Sequence, residues 1–314
     1  MELPKRVAVI GAGLMGHGIA QVMAMGGCSV RLYDTDHAVL QGAMGKIGSN
    51  MALFLEAGLT SDDDLKSTLT RISLASSLRE AVREADFVTE AVPENLQLKS
   101  SIFKEIDDAT PDHAILASNT STLSITEIGR SVRKQHALII THWFNPPHIV
   151  PVVEVVRGQT TSQETLQRTI SFLRALGKEP VNVLKEVPGF LVNRIQSAMF
   201  REVLSLLAEG VAEPEDLDRA VRGSFGIRLP VIGPLRTADL GGLDLWHKGM
   251  KYLYPFLSDA KEPQAVLNEK IAKGHVGQKA GRGFFEYGQG PEGGREERER
   301  DLKLIELLKL LYKQ

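Results

Sequence analysis

A carboxylate follows a histidine by twelve positions in the middle of this chain. His142 ends an apolar run, ALIITH (137–142), and Glu154 lies inside the next one, PVVEVV (151–156). A charge within an apolar run is expensive unless it is paired. A histidine oriented by a buried carboxylate is the usual arrangement for general acid–base chemistry, because the acid fixes the tautomer and stabilises the imidazolium. The stretch THWFNPPH (141–148) also holds Asn145, two prolines and a second histidine, His148. His148 begins a connection whereas His142 closes a strand, so His142 ranks first as a proton acceptor. A histidine at a strand end also has an ordinary structural reading, and spacing alone leaves the pairing with Glu154 open.

A second constellation lies near the N-terminus. VAVIGAGLMGHGIA (7–20) contains G-x-G-x-x-G at Gly11, Gly13 and Gly16, with Leu14 and Met15 between the last two. The pattern is weak alone, but here it follows a strand-like run and opens a helix-like one, which is the context phosphate binding requires. Gly11 permits the turn, Gly13 lets the backbone approach a pyrophosphate, and Gly16 lets helix and strand pack closely. Free N–H groups at the helix start favour an anion. Asp34 follows Gly13 by 21 residues. A carboxylate there accepts hydrogen bonds from an adenosine ribose and repels a 2′-phosphate, which favours NAD over NADP. FAD-binding chains share the fingerprint.

Two more clusters fall where strands end. TEAVPENLQLK (89–99) carries Glu90, Glu94 and Lys99, and ASNTSTLSI (117–125) carries Ser118, Asn119, Thr120 and Ser121. Ligands of open α/β sheets bind outside the carboxyl ends of the strands. Helix capping is the competing explanation, with Asn95 and Thr122 as candidate N-caps.

These groups need a scaffold, and the sequence supplies one. Strand-like runs are RVAVI (6–10), SVRLYD (29–34), RISLA (71–75), DFVTEAV (86–92), AILAS (114–118), ALIITH (137–142), PVVEVV (151–156) and PVNVL (180–184). Helical spacing fills Leu14–Met25, Leu96–Ile106 and Thr165–Leu176. Apolar strands alternating with amphipathic helices predict an α/β domain with a mostly parallel sheet covered on both faces. The helix-prone stretch from Asp36 to Lys66 is expected to project as a helical arm. Pro and Gly in KEVPGF (185–190) place a domain boundary near Val187–Gly189, giving domains of residues 1–187 and 188–314. The second is helix-rich, over Phe190–Glu209, Glu213–Val221 and Ala238–Tyr254, with breaks at Gly223–Gly226 and LPVIGP (229–234). A flexible glycine-rich piece then leads into an amphipathic tail helix whose charge run reads as a solvated face.

Composition narrows the class. The chain has 314 residues, 43% hydrophobic and 24% charged, enough apolar material for a real core. A formal charge of −2 gives no electrostatic reason to expect nucleic acid or an anionic membrane as a partner. No apolar run reaches the ~18–20 residues of a membrane span. MELPKR enters a strand-like run directly without the features of a signal peptide, and a cytoplasmic protein is expected. One cysteine, Cys28, excludes an internal disulfide and a cysteine-based zinc cluster.

The ordered motifs IGAGLMGHGIA, EAVPENLQLK, ASNTSTLSI, HWFNPP with VEVV, PGFLVNR, IGPLRTADLGGLD and GQKAGRGFFEY resemble the 3-hydroxyacyl-CoA dehydrogenase family from Arg6 to about Tyr287. The resemblance implies a Rossmann-type doubly wound sheet with an all-helical C-terminal domain, NAD as cofactor, a small-molecule substrate and a homodimer formed through the helical domain. It implies His142 as catalytic base, Glu154 as its partner, and Ser121 and Asn193 at the substrate oxygen. It implies Gly11, Gly13, Leu14, Met15, Gly16, Asp34, Glu94, Lys99, Ser121, Asn145 and Lys279 as cofactor-binding positions, with no metal.

Some features depart from the acyl-CoA members, which carry a lysine-rich helical arm. Here KIGSNMALFLEAGL (46–59) has Lys46 and then no basic residue until Lys66. VPEN, NPP followed by VPVVEVV, and IRLPVIGPL resemble the lambda-crystallin/L-gulonate dehydrogenase and carnitine dehydrogenase branch. GGLD and GQKAGRGFFEY resemble the acyl-CoA branch. The first expectation is oxidation of a short-chain 3-hydroxyacyl-CoA. The alternatives are dehydrogenation of a free 3-hydroxy acid (gulonate, 3-hydroxybutyrate or carnitine) and a non-catalytic dinucleotide-binding structural role.

Overall fold

The structure, a computed structural model, describes residues 3–288 and 291–312. The chain divides into two compact units, Met1–Asn193 and Arg194–Gln314.

Eight strands form one sheet in the first unit: β1 (Arg6–Ile10), β2 (Ser29–Tyr33), β3 (Ile72–Leu74), β4 (Phe87–Glu90), β5 (Ile115–Ser118), β6 (Leu138–Trp143), β7 (Val152–Arg157) and β8 (Glu179–Val183). Their order is β3-β2-β1-β4-β5-β6-β7-β8. Every neighbouring pair is parallel except β6 and β7, which run antiparallel. The order reverses between β1 and β4, the crevice where such sheets bind ligands.

The central strands are apolar throughout because both faces are covered. Val7, Val9, Val30 and Leu32 bury into one core, and Ala8, Ile10, Val88 and Leu116 into the other. Helices α1 (Gly16–Met25), α2 (His37–Glu56), α3 (Asp62–Thr70), α4 (Leu78–Val82), α5 (Leu96–Ala109), α6 (Ile125–Ile128) and α7 (Gln163–Ala175) connect the strands.

The Asp36–Lys66 stretch differs from the projecting arm expected. It is two helices, and α2 buries Leu40, Ala43, Ile47, Met51 and Phe54. That stripe, at spacings of three and four residues, faces the core instead of solvent. Strand β6 runs one residue past His142, to Trp143. Asn95 does cap α5, but the cap of α6 is Ser124, not Thr122.

The second unit continues α8 (Val192–Ala208) and adds α9 (Pro214–Val221), α10 (Pro234–Gly241), α11 (Leu243–Leu253), α12 (Ala265–Ala272) and α13 (Pro291–Leu311). At Arg222–Gly226, where glycines predict a break, the chain instead keeps a π-helical turn. The chain does leave the helix at 229–233. Residues 289–290 of the expected flexible glycine-rich piece lie outside the described residues, as do residues 1–2 and 313–314. Several large apolar side chains of this unit are exposed, among them Val231, Leu235, Leu240, Tyr252 and Phe256. Among the described residues no helix is long and apolar enough to cross a membrane.

Candidate active site

The carboxyl ends of β1, β4, β5 and β6 gather most of the residues singled out above. At the end of β1, Gly11 takes φ +100°, and a Cβ there would stand 2.6 Å from the Ala91 carbonyl oxygen. A Cβ on Gly16 would lie 1.7 Å from the Gly11 carbonyl oxygen, so helix and loop touch backbone to backbone. Gly13 is different: no protein atom lies within 4 Å of a Cβ built there. The protein's own packing therefore does not demand glycine at 13, whereas a closely bound pyrophosphate would. His17 Nδ1–H donates to the Gly13 carbonyl at 2.7 Å and braces the loop. Burial lowers the His17 pKa, with Lys46 adding to the effect. Leu14 is exposed at the loop tip, and Met15 precedes the first turn of α1.

Asp34, one residue beyond β2, accepts from the Ala12 and Asp36 N–H groups at 2.8 and 2.9 Å, one on each oxygen. A carboxylate oxygen accepts more than one hydrogen bond, so both retain capacity for ribose hydroxyls. The glycine geometry, the α1 N-terminus and Asp34 fit a dinucleotide.

Beneath the next two strand ends lies a buried ionic network. Lys99 Nζ stands 2.6 Å from Glu90 Oε1, with both side chains essentially excluded from solvent. Glu90 also accepts from the Val92 N–H at 2.7 Å and the Ser118 hydroxyl at 2.6 Å. Burial raises the Glu90 carboxyl pKa despite these partners. Lys99 reaches Glu94 at 3.5 Å as well. Glu94 Oε1 in turn accepts from the Thr120 and Thr122 hydroxyls and from the Ser121 and Thr122 N–H groups, at 2.6 to 3.0 Å. Burial opposes its ionisation, but these hydrogen bonds and Lys99 hold its carboxyl below the ordinary range. Glu94 thus fixes the loop that presents Ser121, and Lys99 works from below.

The separation of twelve residues between His142 and Glu154 has a structural cause. The two residues are directly opposite in the antiparallel β6–β7 register, which brings side chains on one face into contact. His142 Nδ1 lies 2.8 Å from Glu154 Oε2, and both residues are buried. The other oxygen, Oε1, accepts the N–H groups of Leu191 and Val192, each at 2.9 Å. Burial works against the charge on Glu154, yet His142 and the two N–H donors keep its pKa below the usual value. An ionised carboxylate only accepts, so Nδ1 carries a proton, and in the neutral imidazole the lone pair then lies on Nε2.

Those N–H groups come from Val192, the first residue of α8, and from Leu191 just before it, and a backbone turn aims them. Gly189 has φ +75° and Phe190 φ +49°, the one positive φ outside glycine among the described residues. The Phe190 ring also packs against the His142 ring, with 5.7 Å between centroids, and Phe144 does so at 4.6 Å. Asn193, in the same turn, places Nδ2 3.4 Å from the Ser121 carbonyl oxygen.

Asn145 is exposed just past β6. His148 points elsewhere, 3.4 Å from Asn50 Nδ2 and against Phe54 of α2. Lys279 is exposed in a short 3₁₀ turn of the second unit, apart in the chain from every other candidate. Sequence reasoning missed Phe190, whose left-handed backbone has no signal beyond the preceding Pro-Gly. Asn119, singled out in the ASNTSTLSI cluster, has a bracing role: its Oδ1 accepts the Trp143 N–H at 2.9 Å and ties β5 to the end of β6.

Comparison with known proteins bears on the whole chain. The profile of the 3-hydroxyacyl-CoA dehydrogenase NAD binding domain matches residues 6–187, and that of the family's C-terminal domain matches residues 189–287. A probable 3-hydroxybutyryl-CoA dehydrogenase of Bacillus subtilis is 38% identical over 288 residues, covering 91% of this chain and 98% of that protein. Lambda-crystallin of Oryctolagus cuniculus is 34% identical over 272 residues, 84% of this chain and 85% of the crystallin. Among solved structures, 5-formyl-3-hydroxy-2-methylpyridine 4-carboxylic acid 5-dehydrogenase, described as an NAD⁺-dependent dismutase, superposes with a TM-score of 0.92 at 32% identity, over 99% of each chain.

Proposed function

The chain belongs to the 3-hydroxyacyl-CoA dehydrogenase family and is an oxidoreductase with an NAD-binding domain, and we propose that it oxidises a short-chain 3-hydroxyacyl-CoA to the 3-ketoacyl-CoA. The observation that carries the reaction is His142, its Nδ1 locked on ionised Glu154 and its Nε2 left to take a proton. The Bacillus subtilis relative, matched over 98% of its own length, supports the thioester substrate.

When bound, NAD supplies the hydride acceptor. Gly11, Gly13, Leu14, Met15, Gly16 and Asp34 would hold its adenosine and pyrophosphate, and Glu94, Ser121 and Asn145 its other end. Lys99 acts on this end through Glu94, since its ammonium is buried against Glu90. His142 Nε2 removes the proton from the 3-hydroxyl, and the electron pair of the O–H bond becomes the carbonyl π bond as the hydrogen on C3 departs with its own pair. Ser121 and Asn193 donate to the oxygen throughout, and Glu154 stabilises the imidazolium. In reverse, His142 returns the proton to the oxygen.

A second reading, a free carboxylated substrate, has two observations in its favour. The solved structure that superposes over 99% of both chains is a dehydrogenase of a pyridine carboxylic acid, and α2 carries one lysine, Lys46. The large apolar side chains exposed on the second unit, including Leu235, Leu240 and Phe256, favour a homodimer, because association removes apolar surface from water.

The test follows NADH absorbance with acetoacetyl-CoA. NAD reduction is then measured with 3-hydroxybutyrate, L-gulonate, carnitine and a carboxylated aromatic aldehyde. Turnover of acetoacetyl-CoA with none of the free acids is the expected result. Turnover of a free acid or aldehyde with no reaction on the thioester replaces the first reading by the second.

A further inference from the structure

One buried charge has no part in the chemistry above. Lys178 lies in the turn between α7 and β8 and is 8% exposed. Among the described residues it makes no ion pair. Its ammonium donates instead to two backbone carbonyls, Pro147 at 2.7 Å and Val150 at 2.8 Å, and sits 5.4 Å from the centre of the Trp143 ring. Burial alone pushes its pKa down to about 8. An ammonium held in this way costs the fold free energy that a carboxylate partner would offset.

Its two acceptors lie in the one covalent link between the strands of the His142–Glu154 pair. Residues 144–151 leave β6 immediately after Trp143, one residue beyond His142, and enter β7 two residues before Glu154. The connection has few ways to hold itself. The Ile149 and Val150 N–H groups both return to the Pro146 carbonyl, and prolines 146 and 147 contribute no N–H. Lys178 supplies the donors that the prolines cannot, and Trp143, which touches the same ammonium, is the residue next to His142. On the opposite side the link is wedged against α1, where a Cβ on Gly18 would fall 2.7 Å from Pro147 Cγ.

We propose that Lys178 is a positioning residue for proton transfer: its ammonium clamps the connection between β6 and β7 and so keeps His142 opposite Glu154 and aimed at the substrate oxygen. The assignment rests on His142 being the base. Lys178 is not among the residues assigned to substrate or cofactor, and it acts through the backbone between the two catalytic strands.

Lys178→Met and Lys178→Ala, made in the full chain, test it alongside the wild type. Small misplacements of a catalytic group are costly in rate, so kcat of Lys178→Met falls about 10–100-fold while KM and the NADH Kd stay within about threefold. n-Propylamine, which replaces the atoms missing from Lys178→Ala, restores kcat in a saturable way, and 1-propanol of the same shape does not. Three results overturn the proposal. They are a Lys178→Met kcat within about twofold of wild type, rescue by propanol equal to that by propylamine, and loss of NADH binding or folding together with turnover, which assigns Lys178 to the fold alone. Failure of the base assignment reads differently: His142→Gln then turns over like the wild type, whatever Lys178 does.

Discussion

Lys99→Met removes the cation that pairs, alone among the described residues, with a carboxylate itself sealed from solvent. Glu90 and Lys99 are 0% and 1% exposed and 2.6 Å apart. With the lysine gone, Glu90 keeps the Val92 N–H and the Ser118 hydroxyl but no positive charge, and breaking a buried pair from one side costs about 3–5 kcal/mol. The double variant Glu90→Gln/Lys99→Met leaves no charge behind, so it loses less than the two single losses added together, with a coupling of about 2–3 kcal/mol. The sign with pH is fixed. Burial already raises the Glu90 pKa in the intact protein, and loss of Lys99 raises it further. A folded-state pKa above the unfolded value means the folded protein takes up the proton first. The deficit of Lys99→Met is therefore largest above the raised folded pKa and shrinks as pH falls towards the unfolded value of about 4.3. Urea unfolding followed by circular dichroism, with wild type and variants at pH 7.5 and at pH 5, measures both effects. A loss below about 1 kcal/mol at pH 7.5, typical of an exposed pair, or a deficit independent of pH, would refute the argument that this pair holds the strand ends.

Four further outcomes follow from the same geometry. Glu154→Gln no longer fixes the Nδ1–H tautomer, so kcat falls about 10²–10⁴-fold with little change in KM, as read by steady-state NADH kinetics. Gly13→Ala folds as stably as wild type, since nothing lies within 4 Å of its Cβ, yet weakens NADH binding in a fluorescence titration by about tenfold or more. Gly16→Ala, whose Cβ meets the Gly11 carbonyl at 1.7 Å, loses stability as well as binding. Burial moves Lys178 from 10.5 to about 8, so between those values the unfolded chain binds more protons and stability rises with pH. The stability of wild type relative to Lys178→Met therefore increases by about 3 kcal/mol across that window, and a flat difference in urea unfolding would contradict it.

Much of this was legible in the residues because periodicity and spacing have local causes. All eight strands answer to apolar runs, since a sheet covered on both faces tolerates little else. The glycine fingerprint is readable because its demands are steric and local, as the close approaches at Gly11 and Gly16 show. The His142–Glu154 proximity was only a possibility in one dimension, because the register of an antiparallel pair depends on how residues 144–151 turn. The capping of Glu154 by Leu191 and Val192 was not legible at all. It joins residues 37 and 38 positions apart through the left-handed Gly189–Phe190 step, and aromatic residues carry no signal for that backbone. The arm was misjudged for a related reason: an amphipathic stripe tells that a helix buries a face, not which surface receives it.

The most direct test of the account is NADH oxidation by acetoacetyl-CoA, measured for wild type and for His142→Gln with His148→Gln as control. The account predicts turnover by wild type and by His148→Gln, and a loss of about 10²–10⁴-fold for His142→Gln with its NADH affinity unchanged. Turnover retained by His142→Gln, or crippled by His148→Gln instead, would contradict it.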